Sequence, residues 1–211
     1  MRWLCVILIV TLLCGCAAPA SNRPIAHTVL IDPGHGGFDG GTVAADGTIE
    51  KDINLAISLC LRDMLAVCGV PVELTRETDT ATAHNKTADM QQRLKMYESA
   101  SVVIAVHQNH FRQPQYNGAQ VFYSVNHPRS ARLAECVQQS VVTRLQPQNT
   151  RKIKPATDGI YLMHHTTVPA VLIECGFLSN PEELIKLKQI YYRQCLAFSV
   201  CLGYWEYRME S

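Results

Sequence analysis

Short runs of Val and Ile alternate with amphipathic stretches along this chain, and this alternation constrains its fold most. The strand-like runs are Thr28–Ile31, Val70–Thr75, Val102–Val106, Ala119–Val125 and Ala170–Ile173. Apolar residues at helical spacing predict helices over Glu50–Cys68, Met90–Tyr97, Pro128–Leu145, Pro181–Leu187 and Tyr192–Tyr207. Strands that alternate with helices predict an α/β fold, with a single mostly parallel twisted β-sheet flanked by helices on both faces. Polar loops are expected at Thr78–Ala88 and Arg112–Asn117.

Composition excludes several classes of protein. The chain is 47% hydrophobic and 18% charged, with a formal net charge of +1. A disordered chain needs the opposite balance, with low hydrophobicity and high charge. Binding to nucleic acid through phosphate neutralisation needs an excess of Lys and Arg, so no nucleic-acid partner is expected. We therefore expect one compact domain over residues 28–207, acting as a monomer.

The first 20 residues predict export. Arg2 precedes an apolar run that ends in small residues, a pattern typical of a secretory signal. The segment around Cys16 resembles the bacterial lipobox, which would place a lipid on that cysteine. Ala18-Pro19-Ala20 offers a competing cleavage site for soluble secretion, and an uncleaved anchor is a third alternative. Residues 21–27 would form a tether. The protein is thus expected outside the cytoplasm, and a membrane contact is expected only through this N-terminal anchor or lipid.

Six cysteines remain after the signal segment, and an even number in an exported protein raises the question of disulfides. They are Cys60, Cys68, Cys136, Cys175, Cys195 and Cys201. Four of them fit the apolar spacing of predicted helices, and a domain of this size does not need cross-links. We favour buried free thiols that pack as small hydrophobic groups.

Polar residues follow three of the predicted strands. His35 lies in a glycine-rich segment after the first strand, His107 follows the strand 102–106, and Glu174 follows the strand 170–173. In open α/β sheets, ligands bind beyond the carboxyl ends of the strands. The three side chains are therefore expected to meet at one edge of the sheet.

Two imidazoles and carboxylates at one edge form a zinc-type ligand set. A catalytic zinc ion takes three protein ligands and keeps one position open. Glu50 would be the third ligand, because it opens the helix that follows the glycine-rich segment. Glu174 would then be free to act as a base. Each residue also has a purely structural alternative. His35 and His107 could simply be hydrogen-bonded at the strand ends, Glu50 could interact favourably with the helix dipole as a first-turn residue, and Glu174 could form a buried salt bridge with Arg76.

Five motifs in this order resemble the zinc-dependent N-acetylmuramoyl-L-alanine amidase family, type 3. They are IDPGHGGFDGG, EKDINLAI, LTR, AVHQN and PAVLIECGFLSN, and together they extend from about Val29 to Trp205. Within the family, GAQVFY and TRK look most like the subgroup that serves spore cortex formation and germination. The resemblance implies a hydrolase of peptidoglycan that cuts the amide between N-acetylmuramic acid and the L-alanine of the stem peptide.

The resemblance also assigns residues. It implies one Zn²⁺ per chain, with His35, Glu50 and His107 as ligands and Glu174 as the catalytic glutamate. Asn109 and Arg76 could orient substrate or support the ligands, without an assigned step. Cys175 beside Glu174 suggests a Cys–His nucleophile as an alternative, but its place in the strand points it to the opposite face.

Two other function classes stay open at this point. A binding module that lost activity would lack at least one of the four site residues, and all four are present. A different zinc hydrolase, such as a carboxypeptidase, would need a cation for the substrate's free carboxylate. The basic run of Arg151, Lys152 and Lys154 is either a solvated loop or a contact with acidic groups of the substrate.

Overall fold

The computed structural model describes residues 28–210. The predicted signal segment, the lipidation site at Cys16 and the tether at 21–27 lie outside the described residues. Within residues 28–210, no helix combines the length and the apolar character that crossing a bilayer requires.

Six strands of the described chain form one sheet. They are β1 (Val29–Pro33), β2 (Val72–Leu74), β3 (Val102–Asn109), β4 (Gln120–Tyr123), β5 (Lys154–Pro155) and β6 (Ala170–Phe177). Their spatial order is β2-β1-β3-β6-β4-β5. Strands β2, β1, β3 and β6 run parallel to one another, whereas β4 is antiparallel to β6 and β5 is parallel to β4. The predicted mostly parallel sheet is confirmed.

Helices cover both faces of this sheet. They are α1 (Glu50–Val67), α2 (Lys86–Glu98), α3 (Ser130–Arg144), α4 (Tyr161–His165), α5 (Pro181–Lys188) and α6 (Ile190–Met209). The larger core lies between one sheet face and the helices α1, α3, α5 and α6. The smaller core lies on the other face, where Leu30, Val103 and Leu172 pack with Tyr97 of α2 and Met163 of α4. Alternate residues of β1, β3 and β6 thus enter opposite cores.

Several predicted boundaries were wrong. The central strands continue through the polar residues that were expected to follow them, so β3 includes His107 and β6 includes Glu174. Helix α2 begins at Lys86, inside the expected loop, because the side chain of Asn85 caps it by accepting from the Ala88 N–H at 2.9 Å. Helix α4 and the two-residue strand β5 were not predicted, since both are too short for a periodic pattern.

The six described cysteines are free thiols, as favoured from the sequence. Cys136, Cys175 and Cys201 are buried, but Cys68 is exposed. The exposure follows from its position, because Cys68 is the C-cap of α1 and no longer lies on the helix face that packs on the sheet. Gly69 follows with a φ of 75°, a left-handed backbone conformation that is typical of a glycine just after a helix end.

Candidate metal centre and active site

The sheet brings two of the predicted site residues directly together. His107 on β3 and Glu174 on β6 are cross-strand neighbours in a parallel pair. Both lie on the face of the smaller core, because Ala105 and Leu172, two residues earlier on each strand, pack there. The strands therefore place an imidazole and a carboxylate side by side at the carboxyl edge of the sheet.

A strained loop after β1 supplies His35. Its φ of 63° is the one positive φ of a non-glycine residue in the described chain. Such a backbone persists only where its surroundings hold it, and here Arg93 donates to the His35 carbonyl at 2.7 Å. The His35 Nδ1 lies 2.9 Å from the Asp39 carboxylate, which also contacts Lys86. These contacts orient the imidazole so that Nε2 faces the other site residues.

Glu50 opens α1 and carries the third group. Only 3% of its surface is exposed. Its Oε1 lies 3.2 Å from His35 Nε2 and 3.1 Å from His107 Nδ1. Its carboxylate also accepts from the N–H of Thr42 at 2.9 Å and from the N–H of Gln108 at 3.1 Å. The two oxygens are thus fixed by the glycine-rich loop on one side and by β3 on the other.

Interactions among these groups shift their pKa values in directions that oppose the effect of burial. Burial alone would raise the pKa of Glu50, but hydrogen bonds from His107 and His35 lower it far below its usual range. Burial would lower the pKa of His35, but Glu50 and Asp39 outweigh that cost and raise it. Glu50 is therefore held as a carboxylate, the ionised form that a metal ligand must have.

One ligand atom each from His35, Glu50 and His107 lies within 4.8 Å of the others. Two imidazoles and one carboxylate are a common ligand set for a catalytic zinc ion. Glycines make room for this set: a Cβ on Gly34 would lie 2.2 Å from the His107 ring, and one on Gly41 would lie 2.6 Å from Glu50 Oε2. The donor types and the packing around them fit a zinc ion.

Glu174 is arranged differently from Glu50. Its Oε2 is shielded from solvent and has no hydrogen-bond partner within residues 28–210. Burial raises the pKa of Glu174 to about 7, although the nearby His107 opposes this shift. A carboxyl group with such a pKa can both accept and release a proton near neutral pH.

Arg76 and Asn109, the weaker sequence candidates, have different positions. Arg76 is 4% exposed and donates to backbone carbonyls, among them Pro33 at 3.0 Å, Gly34 at 3.0 Å and Lys51 at 2.8 Å. It holds the glycine-rich loop against α1, and it forms no salt bridge with Glu174 in the described chain. Asn109 ends β3, where its carbonyl accepts from the Leu178 N–H.

Three further residues, which were not predicted from the sequence, hold the ligands in place. Asp39 orients His35. Asn54 donates to Glu50 Oε1 and to the Gly34 carbonyl, each at 3.2 Å. Gln108 reaches Asn54 at 3.1 Å through its side chain. Asn54 could have been found from its spacing, because it lies one helical turn after Glu50.

The Cys–His alternative is wrong. Cys175 is fully buried in the larger core, on the sheet face opposite Glu174. Burial raises the pKa of the Cys175 thiol well above its usual value, so no thiolate nucleophile forms there.

A cleft of about 270 Å³ adjoins the two histidines. It is lined by side chains of α2 and by the segment around α4, among them Lys86, Met90, Tyr161 and Met163. Helix α4, which the sequence did not predict, therefore forms one wall beside the candidate metal centre.

Comparisons with known proteins agree with this geometry. A sequence profile of the family described as N-acetylmuramoyl-L-alanine amidase matches residues 29–204. The germination-specific N-acetylmuramoyl-L-alanine amidase of Bacillus subtilis is 36% identical over 201 residues, covering 90% of this chain and 84% of that protein.

Solved structures give the same result. The CwlD amidase of Clostridioides difficile, in complex with the GerS lipoprotein, matches with a TM-score of 0.83 and 35% identity, over 88% of this chain and 100% of that chain. An N-acetylmuramoyl-L-alanine amidase of Clostridium difficile 630 matches with a TM-score of 0.79 and 29% identity, over 88% and 98% of the two chains. The resemblance inferred from the five motifs is confirmed.

Proposed function

We propose that this chain, which belongs to the N-acetylmuramoyl-L-alanine amidase family, performs the reaction of that family with one zinc ion. The reaction is hydrolysis of the amide between N-acetylmuramic acid and L-alanine in peptidoglycan. His35, Glu50 and His107 would hold the ion. The observation that carries the proposal is the mutual approach of their ligand atoms within 4.8 Å, beside a buried carboxylate oxygen that has no partner in residues 28–210.

The roles follow from the chemistry of each group. Zinc bound there would supply Lewis acidity, which polarises a carbonyl and lowers the pKa of water toward 7. Glu174 would take a proton from the attacking water and pass it to the leaving alanine nitrogen. The lack of a protein hydrogen-bond partner at Oε2 within residues 28–210 suits this role, because the carboxylate is not committed to a structural contact.

The supporting residues fix the geometry for this step. Asp39 sets the orientation of His35, and Asn54 with the Gln108 N–H sets that of Glu50. Partners of metal ligands raise ligand basicity and restrict ring rotation. We assign no step of the reaction to Arg76 or Asn109.

The first experiment compares Glu174→Gln with wild type on purified muropeptides. We expect normal zinc content and loss of peptide release, because the amide keeps the side-chain shape but cannot take a proton. Glu182→Gln, which alters an exposed glutamate in the first turn of α5, is the matched control. Loss of zinc together with activity would make Glu174 a ligand instead of a base.

The same assay separates the other function classes. A non-catalytic binding module would bind muropeptides without product. A different zinc hydrolase, such as a carboxypeptidase, would cut within the peptide stem. Release of the intact stem with an N-terminal alanine supports the amidase reaction alone.

We also propose where the enzyme acts. The predicted signal at residues 1–20 and the tether at 21–27 support export of a catalytic domain over residues 28–207, either with a lipid on Cys16 or as a secreted protein. The germination-specific relative supports a role in spore cortex processing. The mass of the mature N-terminus distinguishes a lipidated from a soluble product.

A further inference from the structure

The row of site residues continues across the sheet beyond Glu174. Gln120 on β4 is the direct cross-strand neighbour of Glu174, so both side chains lie on the same face. Neighbouring strands lie about 4.8 Å apart. Gln120 is therefore roughly 10 Å from the His107 position, two strands away along the carboxyl edge.

Gln120 connects this edge to Arg151. The Gln120 side chain donates to the Lys152 carbonyl at 2.7 Å and accepts from Arg151 Nη1 at 2.9 Å. Arg151 Nε donates to the Asn117 carbonyl at 2.8 Å, and its guanidinium lies 4.5 Å from the centre of the Phe177 ring. The guanidinium is thus held from three sides at the edge of the sheet, as a preorganised binding group requires.

Arg151 keeps donors and charge available. Two of its five N–H groups are used in these hydrogen bonds, and it forms no ion pair within residues 28–210. Glu183 lies near it, but the Glu183 oxygens accept from the N–H groups of Gly118 and Phe177 at 2.9 and 2.7 Å.

The substrate has a matching charge on one side only. The glycan beside the scissile amide consists of neutral N-acetylated sugars, whereas the peptide stem carries free carboxylates on its second residue, a glutamate, and in many walls on its third, a diaminopimelate. An extended peptide advances about 3.3 Å per residue, so roughly 10 Å corresponds to two or three residues beyond the scissile amide.

We propose that Arg151 binds a carboxylate of the stem peptide, two or three residues beyond the scissile amide, and thereby directs the peptide over β4 and the glycan to the opposite side of the site. This proposal rests on the amidase reaction proposed above. Arg151 is a specificity-determining residue in this scheme and takes no part in the proton transfers at Glu174.

The test uses four muramoyl tetrapeptides. They differ only in glutamate or isoglutamine at the second residue and in diaminopimelate or lysine at the third. We expect wild type to favour one of the two carboxylates by roughly ten- to hundredfold in kcat/KM, the range for hydrogen bonds to a charged group. The replacement that lowers kcat/KM, either isoglutamine for glutamate or lysine for diaminopimelate, identifies which carboxylate is bound.

Arg151→Gln should remove the preference by lowering kcat/KM for the acidic substrate and leaving the amidated one unchanged. Lys152→Gln is the matched control, because it removes the same charge from the adjacent exposed residue, and it should keep the preference. Arg151→Lys keeps the positive charge but lacks the planar guanidinium, so it should retain part of the substrate preference. In wild type, added salt should reduce the preference, a measurement that needs no variant.

Two results would overturn the proposal. One is equal turnover of all four substrates by wild type. The other is an equal loss on all four substrates in Arg151→Gln, since that would make Arg151 a purely structural clamp between β4 and the neighbouring loop. Failure of wild type to cleave any of the four would instead refute the proposed amidase reaction itself.

Discussion

Asp32 forms the centre of a buried polar cluster beneath the metal centre, and replacing it with Asn tests how that cluster stabilises the fold. Asp32 is 1% exposed. Its carboxylate accepts from Thr75 and from Tyr97, each at 2.5 Å, and forms an ion pair with the buried Arg93. Arg93 in turn donates to the His35 carbonyl.

Asp32→Asn preserves the shape of the side chain and removes its charge. Arg93 keeps Asp89 as a second carboxylate partner, at 2.9 Å, so its buried positive charge remains partly compensated. Removing one partner of a buried pair costs about 3–5 kcal/mol. We expect about 3 kcal/mol, the lower end of that range, and hence a fall in Tm of roughly 6–12 °C for a domain of this size.

The sign of the pH dependence follows from the pKa of Asp32. Burial alone would raise it, but Arg93, Thr75 and Tyr97 lower it below the usual value of 3.8. The folded state therefore binds fewer protons at this group than the unfolded state, so its contribution is present above pH 3.8 and is lost as the pH falls through the folded pKa. The difference between wild type and Asp32→Asn should shrink in that acidic range.

Urea denaturation and thermal melting at neutral pH measure the change. Asp63→Asn is the control, because Asp63 pairs with Arg62 at the surface, and such pairs contribute about 0–1 kcal/mol. A loss for Asp32→Asn no larger than for Asp63→Asn would refute the reasoning, since the buried cluster would then add nothing beyond a surface pair.

Two glycine substitutions test packing at the site and away from it. Gly34→Ala would bring a Cβ to 2.2 Å from the His107 ring, so we expect the ring to shift and the zinc content to fall while the fold persists. Elemental analysis after dialysis measures the zinc content, and a full zinc content would contradict this expectation. Gly203→Ala would place a Cβ 2.6 Å from the Val137 backbone, and overpacking of this kind costs about 1–3 kcal/mol, which should lower Tm without changing zinc content. Gly159→Ala, whose Cβ would meet nothing closer than 3.6 Å, is the control for both and should behave as wild type.

Sequence patterns identified the main elements because these depend on near neighbours. The apolar stripe of α1 and the β-branched runs of β1, β3 and β6 are local signals, and the structure contains all four. The predicted ends of β3 and β6 were wrong, because these strands continue through His107 and Glu174, where pairing across the sheet extends them. No local pattern indicates how far a neighbouring strand reaches.

The candidate site divides in the same way. His35, Glu50, His107 and Glu174 were found because each follows or opens a recognisable element, and the rule for carboxyl ends of parallel strands places such residues together. Gln108 was missed, because its role depends on a hydrogen bond to Asn54, a residue that only folding brings near. Asp39 lies four residues from His35, and it was missed because the irregular loop that joins the two has no periodic pattern. Arg151 appeared in the sequence only as part of a basic run.

The sequence by itself thus determined the order of the longer strands and helices, the family, and the four residues that would perform the chemistry. Periodicity and motif letters are properties of short segments, which is why these features could be predicted. Tertiary structure alone decided which carboxylate is held and which has a free oxygen: Glu50 is surrounded by N–H donors, whereas Glu174 Oε2 has none within residues 28–210. It also decided that Arg151 reaches the site edge through Gln120. These differences arise from strand register and packing over long sequence separations, which no short segment encodes.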